Sequence, residues 1–149
     1  MEVIIIGCGK VGVTLADQLV REDHNVVMVD TSAERLQSFS EDIDAIKLVG
    51  NGASISTQLE AGVQTADILI AVTGSDELNL FCCLIAKKAG KCHTIARVRN
   101  PVYSNEIGFI KEQLGISMII NPELAAATEI SSCLLYTSPS PRDMRRPRM

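Results

Sequence analysis

The chain has 149 residues, of which 46% are hydrophobic and 3% aromatic, and its formal net charge is -4. This length suits one α/β domain with an aliphatic interior and is too short for a nucleotide-binding domain joined to a full catalytic domain. The acidic balance argues against nucleic acid as a partner, and the lack of a long apolar run or a signal-peptide pattern predicts a soluble, cytoplasmic protein.

Residues 3–30 predict a strand, a glycine-rich turn, a helix and a second strand. The continuous β-branched run at 3–6 is typical of a parallel strand covered on both faces. In the G-x-G-x-x-G pattern that follows, Gly7 permits a tight turn, Gly9 leaves room for a pyrophosphate, and Gly12 lets the helix pack closely on the strand. The start of that helix offers unpaired N–H groups and a positive dipole end to an anion.

The second strand ends at Asp30, which lies 18 residues after Gly12. An acid at about this distance meets the ribose hydroxyls in dinucleotide-binding domains and repels a 2′-phosphate. NAD(H) is therefore favoured over NADP, while ATP and ADP remain open because they carry the same free ribose. The alternative is that the glycines are ordinary turn residues and Asp30 only precedes a helix. The agreement of strand, helix, strand and acid in one unit favours nucleotide binding.

Strands and helices continue to alternate beyond this unit. Thr31 is predicted to cap a helix, with Glu34 completing a capping box and Leu36 and Phe39 facing inward. The later predicted elements are a strand at 45–49, a short helix between Ser54 and Gly62, a strand at 68–72, a helix at 75–89 that packs Leu78, Phe81, Leu84 and Ile85, a strand at 93–98, a helix from Pro101 to about Gly115, and a strand at 117–120. Six strands alternating with helices indicate an α/β fold, a Rossmann-type doubly wound parallel sheet in the order 3-2-1-4-5-6.

This order places the ends of the first and fourth strands side by side, where ligands bind in such sheets. Thr73 and Gly74 follow the fourth strand, so they could offer a hydroxyl and a close backbone contact, although simple helix capping explains them equally well. Asp76 and Asn79, on the first turn of the next helix, fit capping or solvent exposure as well as ligand contact.

Two arginines, Arg97 and Arg99, lie at the end of the fifth strand. We expect Arg97 rather than Arg99 to face the crevice, where a guanidinium would neutralise a phosphate or hold the distal half of a dinucleotide. A surface ion pair is the alternative.

The five cysteines show neither a C-x-x-C pair nor a histidine spacing suited to zinc, so no metal site is predicted. Buried free thiols are the expectation. Cys8 is the exception, because it lies in the phosphate turn at a helix N-terminus, where a thiolate would be stabilised.

Residues 131–149 hold three of the five prolines and four arginines against one aspartate, with no periodicity. We expect this tail to be disordered. Its run at 134–143 resembles translated sequencing-adapter read-through, which would make it non-native, and a basic tail for membrane or nucleic acid is the alternative. The folded domain is accordingly placed at residues 1–130.

Several motifs of the chain together resemble one family. In chain order they are Ile5-Ile6-Gly7-Cys8-Gly9-Lys10-Val11-Gly12, Asp30, Leu48-Val49-Gly50-Asn51-Gly52, Ala71-Val72-Thr73-Gly74-Ser75-Asp76-Glu77-Leu78-Asn79 and Ala96-Arg97-Val98-Arg99-Asn100-Pro101. Over residues 1 to about 130 they resemble the regulator-of-potassium-conductance (RCK) domain, also called the potassium-transport nucleotide-binding domain, as in the N-terminal half of Trk potassium-uptake protein A.

The resemblance implies a cytoplasmic regulatory subunit, peripheral on the inner face of the plasma membrane, that binds NAD(H) or an adenine nucleotide such as ATP or ADP. Its partners would be a membrane potassium transporter, which it gates, and further copies of itself. By the same resemblance, phosphates lie at Gly7, Cys8, Gly9, Lys10 and Val11, the ribose at Asp30, the switch-point side of the ligand at Thr73 and Gly74, and a distal phosphate or ring at Arg97. In the family, a small C-terminal ligand-binding domain and a second tandem copy follow the matched region.

An NAD-dependent dehydrogenase fragment is the alternative function. Hydride transfer needs a substrate site and usually an acid or base. His24 and His93 are expected at the edge of the sheet away from the strand carboxyl ends, and Tyr103 has no lysine four residues later. We therefore expect that this chain is not an enzyme. A dimerisation module built on the last helices is compatible with the regulatory role.

Overall fold

The computed structural model describes residues 1–38, 43–103 and 105–121. Within these ranges strands and helices alternate along the chain. They are β1 (Glu2–Ile6), α1 (Lys10–Arg21), β2 (Asn25–Asp30), α2 (Ala33–Ser38), β3 (Ile46–Val49), α3 (Ile55–Ala61), β4 (Ile68–Ala71), α4 (Asp76–Ala89), β5 (His93–Arg97), a 3-10 turn (Pro101–Tyr103), α5 (Ile107–Leu114) and β6 (Met118–Ile120).

These strands form one parallel sheet in the order β3-β2-β1-β4-β5-β6, which confirms the predicted fold class and strand order. The central strand β1 pairs with β2 on one side and β4 on the other, so Ile6 lies opposite both Val29 and Ala71. Because all strands run the same way, their carboxyl ends meet at a single edge. The loops that follow them are brought together there.

The β-branched run of β1 is buried because successive side chains alternate between two cores. Val3 and Ile5 face the layer that contains α1 and α2, while Ile4 and Ile6 face the layer that contains α3, α4 and α5. All four side chains are at most 3% exposed. Burial of each aliphatic side chain contributes about 1.5–3 kcal/mol, which accounts for the uninterrupted apolar run.

Helix α4 buries a different face from the predicted one. Leu78 is 37% and Phe81 is 48% exposed, and Leu84 and Ile85 are only half-buried. The side chains that α4 buries are Asn79, Leu80, Cys82, Cys83 and Ala86. The prediction of the inner face was wrong because small cysteine and alanine side chains let this helix approach the sheet, and the stripe of larger residues beside them remains outside.

Two predicted helix starts were also wrong. Ser32 rather than Thr31 caps α2, because Ser32 Oγ accepts the N–H of Arg35 at 3.2 Å. Pro101 opens the 3-10 turn, and the α-helix begins only at Ile107. The other element ends fall close to their predicted positions.

Within the described ranges, no helix is both long enough and apolar enough to cross a lipid bilayer. The predicted inward position of Phe39 and the expected tail at 131–149 lie outside the described residues.

Candidate functional site

A cavity of about 330 Å³ opens at the carboxyl edge of the sheet. Its lining includes Gly7 and Gly9 after β1, Asp30 and Thr31 at the end of β2, the loop 50–52 after β3, Thr73 and Gly74 after β4, Arg97 at the end of β5, and also Arg35 and Leu78. The fold therefore brings together six of the residues expected at a site, namely Gly7, Gly9, Asp30, Thr73, Gly74 and Arg97. It does not place Cys8, Lys10 or Val11 in the lining.

The glycines of the first turn have different local roles. Gly7 has a φ of +111°, and a Cβ there would lie 2.9 Å from the main-chain nitrogen of Thr73. A Cβ on Gly12 would lie 2.0 Å from the carbonyl oxygen of Gly7, so α1 packs directly on the turn. By contrast, a Cβ on Gly9 would meet no atom within 4 Å. Two glycines are thus needed for the fold, and the third borders open space.

Among the residues that the structure describes, no side chain accepts a hydrogen bond from the first N–H groups of helix α1. Its N-cap is Gly9, no side chain bonds to the end of the helix, and its first turn contains no acidic residue. Unpaired N–H groups and the positive end of the helix dipole attract an anion. Lys10 is exposed on that first turn and adds positive charge. Val11, also on this turn, packs instead against the core.

Asp30 is 7% exposed and ties the end of β2 to the glycine turn. Its Oδ2 accepts the N–H of Cys8 at 2.7 Å, and its Oδ1 accepts the N–H of Ser32 at 2.8 Å. Nη1 of Arg35 lies 3.7 Å from Oδ2. Because each carboxylate oxygen can accept more than one hydrogen bond, Asp30 keeps lone pairs for a ligand while it fixes the turn.

Cys8 lies within the glycine turn and is 5% exposed. Its thiol donates to the carbonyl of Arg35 at a sulfur–oxygen distance of 3.6 Å. Burial and the neighbouring Asp30 carboxylate raise the pKa of the Cys8 thiol. The expected stabilisation of a thiolate by the helix end was therefore wrong, because desolvation and a like charge outweigh it. The thiols of Cys82, Cys83 and Cys92 are free and buried, as expected, and Cys8 is free and buried as well.

Asn79 bonds to Thr73 and Arg97, which line the side of the cavity formed by the ends of β4 and β5. It is 0% exposed. Its Oδ1 accepts the N–H of Thr73 at 2.8 Å and the Thr73 hydroxyl at 2.6 Å. The same hydroxyl accepts the N–H of Ser75 at 3.2 Å. With its proton directed to Asn79, the Thr73 hydroxyl can offer a ligand a lone pair but not a donor.

Arg97, the last residue of β5, lines the cavity as expected, whereas Arg99 lies beyond the end of the strand and is not in the lining. Nη1 of Arg97 donates to the carbonyl of Thr73 at 3.3 Å. The carboxylate of Asp76 accepts the N–H of Arg99 at 3.1 Å and that of Asn100 at 2.8 Å. Asp76 thus closes the loop after β5.

Sequence reasoning did not assign Arg35 or the loop 50–52 to the site. The loop could have been found, because Gly50-Asn51-Gly52 follows a strand that ends at the same edge. A Cβ on Gly52 would lie 2.3 Å from the side chain of Ile6, so this loop is pressed against β1. Arg35 gave no comparable signal, because its position depends on where α2 begins.

The side chains considered for acid–base chemistry are not at the cavity. His24 precedes β2 and His93 begins β5, so both lie at the amino edge of the sheet. The Tyr103 hydroxyl donates to Glu77 at 2.5 Å, and this hydrogen bond raises the pKa of Tyr103. Among the cavity-lining residues, the ionisable side chains are Asp30, Arg35 and Arg97.

A family model described as the TrkA-N domain matches residues 3–122. The chain belongs to this family. A relative from Methanothermobacter thermautotrophicus, named a Trk system potassium uptake protein TrkA homolog, is 36% identical over 144 residues, covering 97% of the chain and 64% of the relative. The Trk system potassium uptake protein TrkA of Halomonas elongata is 39% identical over 132 residues, covering 87% of the chain and 29% of the relative. The chain therefore spans less than two thirds of the length of these relatives.

Solved structures of low sequence identity share the fold. The TrkA-N domain of the inner membrane protein ybaL from Escherichia coli superposes with a TM-score of 0.71 at 23% identity, covering 90% of this chain and 93% of that one. The GsuK channel bound to NAD gives a TM-score of 0.68 at 21% identity, covering 80% and 21%. The Kef C-terminal domain of Shewanella denitrificans in its AMP-bound form gives 0.67 at 19% identity, covering 97% and 87%.

Proposed function

We propose that this TrkA-N domain binds NAD(H) or an adenine nucleotide in the cavity and acts as a regulatory, non-enzymatic subunit of a potassium uptake system. One observation carries the proposal. The open space beside Gly9, the uncapped start of α1 and the buried carboxylate of Asp30 border the same cavity. Together they offer main-chain donors to phosphate and a carboxylate to ribose hydroxyls.

In the proposed pose, the adenosine ribose bonds to Asp30 and the phosphates lie against Gly7, Gly9 and the first turn of α1. Lys10 and Val11 contribute that turn, and the N–H of Cys8 is held by Asp30 below it. The second half of a dinucleotide then extends toward Thr73, Gly74 and Arg97 on the other side of β1.

The regulatory role is supported by the relatives, which are named potassium uptake proteins, and by structural neighbours whose names record bound NAD or AMP. The partner we propose is a membrane potassium transporter, contacted from the cytoplasmic side. The domain would gate it by favouring one of two assembly states. This requires that the nucleotide bind the two states with different affinities, since equal affinity shifts nothing.

Homo-oligomerisation belongs to the same proposal. Phe81 on α4, Val102 in the 3-10 turn and Phe109 on α5 are 48%, 65% and 69% exposed. Large apolar side chains on neighbouring helices provide surface that further copies of the chain can cover.

A titration with NADH, NAD, ATP and ADP tests the proposal. Calorimetry on the 149-residue chain should show micromolar binding of at least one of these ligands, and no NADH oxidation should appear across a panel of hydroxy acids and aldehydes. Gly9→Val is the matched control for a site-specific signal. Failure of all four nucleotides to bind would refute the proposed function, and turnover would refute the non-enzymatic role.

We also propose residues 1–130 as the folding unit. A chain that ends after residue 130 should bind nucleotide with the affinity of the full chain, and a loss of binding would contradict this boundary.

A further inference from the structure

The side-chain amide of Asn79 uses all of its hydrogen-bonding capacity within the protein. Oδ1 accepts the N–H and the hydroxyl of Thr73, as described above. Nδ2 donates to the carbonyl of Thr73 at 3.2 Å and to the carbonyl of Arg97 at 2.9 Å. These four bonds satisfy two donors and two lone pairs on a side chain that is fully buried.

The side chain of Asn79, on α4, bonds to main-chain groups just beyond the end of the hydrogen-bond ladder between β4 and β5. The last paired residues of these strands are Ala71 and Ala96. Beyond them, Thr73 and Arg97 are linked by the Asn79 amide and by the bond from Arg97 Nη1 to the Thr73 carbonyl. Asn79 therefore continues the connection between the two strands by side-chain bonds and fixes the main chain of two cavity-lining residues.

The cavity has two sides that come from different strands. Asp30 and the loop 50–52 lie at the ends of β2 and β3, whereas Thr73 and Arg97 lie at the ends of β4 and β5, and β1 lies between them. Adjacent strands are about 4.8 Å apart, so the two sides are separated by roughly 10 Å. A mononucleotide such as AMP, with its single phosphate at the glycine turn, reaches the first side, whereas a dinucleotide extends to the second.

We propose that Asn79 is a positioning residue for the distal half of a dinucleotide, acting through Thr73 and Arg97. The inference rests on the proposed function, because it assumes that a nucleotide occupies the cavity. Loss of the amide would remove the acceptor of the Thr73 N–H and one donor each from the carbonyls of Thr73 and Arg97. The Thr73 hydroxyl would lose its 2.6 Å acceptor and keep only its contacts with Ser75. Asp30 and the glycine turn make no bond to Asn79, so the adenosine side keeps its geometry.

Calorimetric titration of Asn79→Ala with NADH and with AMP tests this inference. We expect the affinity for NADH to fall about tenfold, because buried polar groups lose their partners, while the affinity for AMP is unchanged. Retained AMP binding also shows that the variant is folded. Asn79→Asp keeps the size of the side chain and the acceptor oxygen, but it replaces the donating nitrogen with a second acceptor that faces the carbonyls of Thr73 and Arg97. This second variant should also weaken NADH binding without affecting AMP binding.

Asn25→Ala is the matched control, since Asn25 is exposed at the amino edge of the sheet and bonds to Glu2. It should leave both affinities unchanged. An equal loss of AMP and NADH affinity in the Asn79 variants would assign Asn79 a general structural role and overturn the inference, as would unchanged NADH affinity. If the unaltered chain binds AMP and NADH equally well, the distal side contributes nothing and the inference fails while nucleotide binding stands. If it binds neither, the proposed function fails first.

Discussion

The loop that joins β1 to α1 and the loop that joins β4 to α4 lie side by side at one edge of the sheet. They nevertheless present opposite chemistry to the cavity. The first offers main-chain N–H groups and open space, with no capping side chain and no acid in the first helical turn. In the second, Ser75 caps the helix, and Asp76 and Glu77 occupy its first turn. An anion is therefore stabilised at α1, whereas α4 satisfies its own N-terminus and holds side chains in place.

Among the substitutions in these two loops and the helices that follow them, Gly12→Ala should reduce the stability of the protein most. The added Cβ would lie 2.0 Å from the carbonyl oxygen of Gly7, so α1 and the glycine turn cannot keep their contact. We expect a loss of at least about 3 kcal/mol in the free energy of unfolding, measured by urea denaturation. Gly108→Ala in α5, where a Cβ meets no atom within 4 Å, is the control and should be neutral or stabilising. Equal stability of the two variants would contradict the close packing of α1.

Gly9→Val separates binding from folding at the same turn. Because a Cβ on Gly9 meets no atom within 4 Å, the fold should tolerate the side chain, which would occupy the space expected for phosphate. We expect affinities for both AMP and NADH to fall at least about 100-fold, roughly 2.7 kcal/mol, with little change in the unfolding midpoint. Normal binding by the folded variant would show that the phosphates lie elsewhere.

Asp30→Ala should affect both binding and stability. The ribose hydroxyls would lose their charged acceptor, which we expect to weaken NAD binding by about 1–3 kcal/mol in a calorimetric titration. The N–H groups of Cys8 and Ser32 would also lose their acceptor, so the unfolding midpoint should fall. Asp17→Ala, which removes an exposed partner of Arg21, serves as the charge-matched control. Unchanged NAD affinity in Asp30→Ala would refute the ribose assignment.

Ser75→Ala tests the loop that joins β4 to α4. Ser75 Oγ accepts the N–H of Leu78 at 3.2 Å, and loss of this cap should cost about 1 kcal/mol of stability. AMP affinity should not change, because the anion site is at α1. If AMP binding weakened as much as in Asp30→Ala, the division of the cavity into two sides would be wrong.

The smallest predicted effect concerns the buried thiols, whose protonation makes the stability of the fold depend on pH. Burial raises the pKa of Cys82 from 9.0 to about 12. A thiol whose pKa is raised on folding stabilises the fold below its ordinary pKa, and this contribution is lost as the pH rises from 9.0 towards 12. In a Cys133→Ser background, Cys82 on the buried face of α4 should therefore resist alkylation at neutral pH. Rapid labelling of Cys82 in the folded protein would contradict its burial.

The sequence by itself determined the strand order, the glycine turn and the acid at the end of β2. The glycine turn and the apolar strands are local features, because a glycine requirement or a β-branched strand is set by the backbone and by immediate neighbours. The strand order followed from the alternation of strands and helices, by the topology rule for doubly wound sheets. The inner face of α4 was not determined in this way, since the stripe with Leu78 and Phe81 and the stripe with Cys82 and Cys83 both have helical spacing. Packing against the sheet decided between them.

The tertiary structure alone decided what the distal side of the cavity is made of. The amide of Asn79 joins Thr73, six residues before it, to Arg97, 18 residues after it, and such a contact exists only once β4 and β5 are paired. The state of Cys8 was decided in the same way, because its thiol responds to burial and to the Asp30 carboxylate 22 residues later in the chain. Hydrogen-bond partners and electrostatic environments of this kind depend on folded distances, and the linear pattern of residues does not contain them.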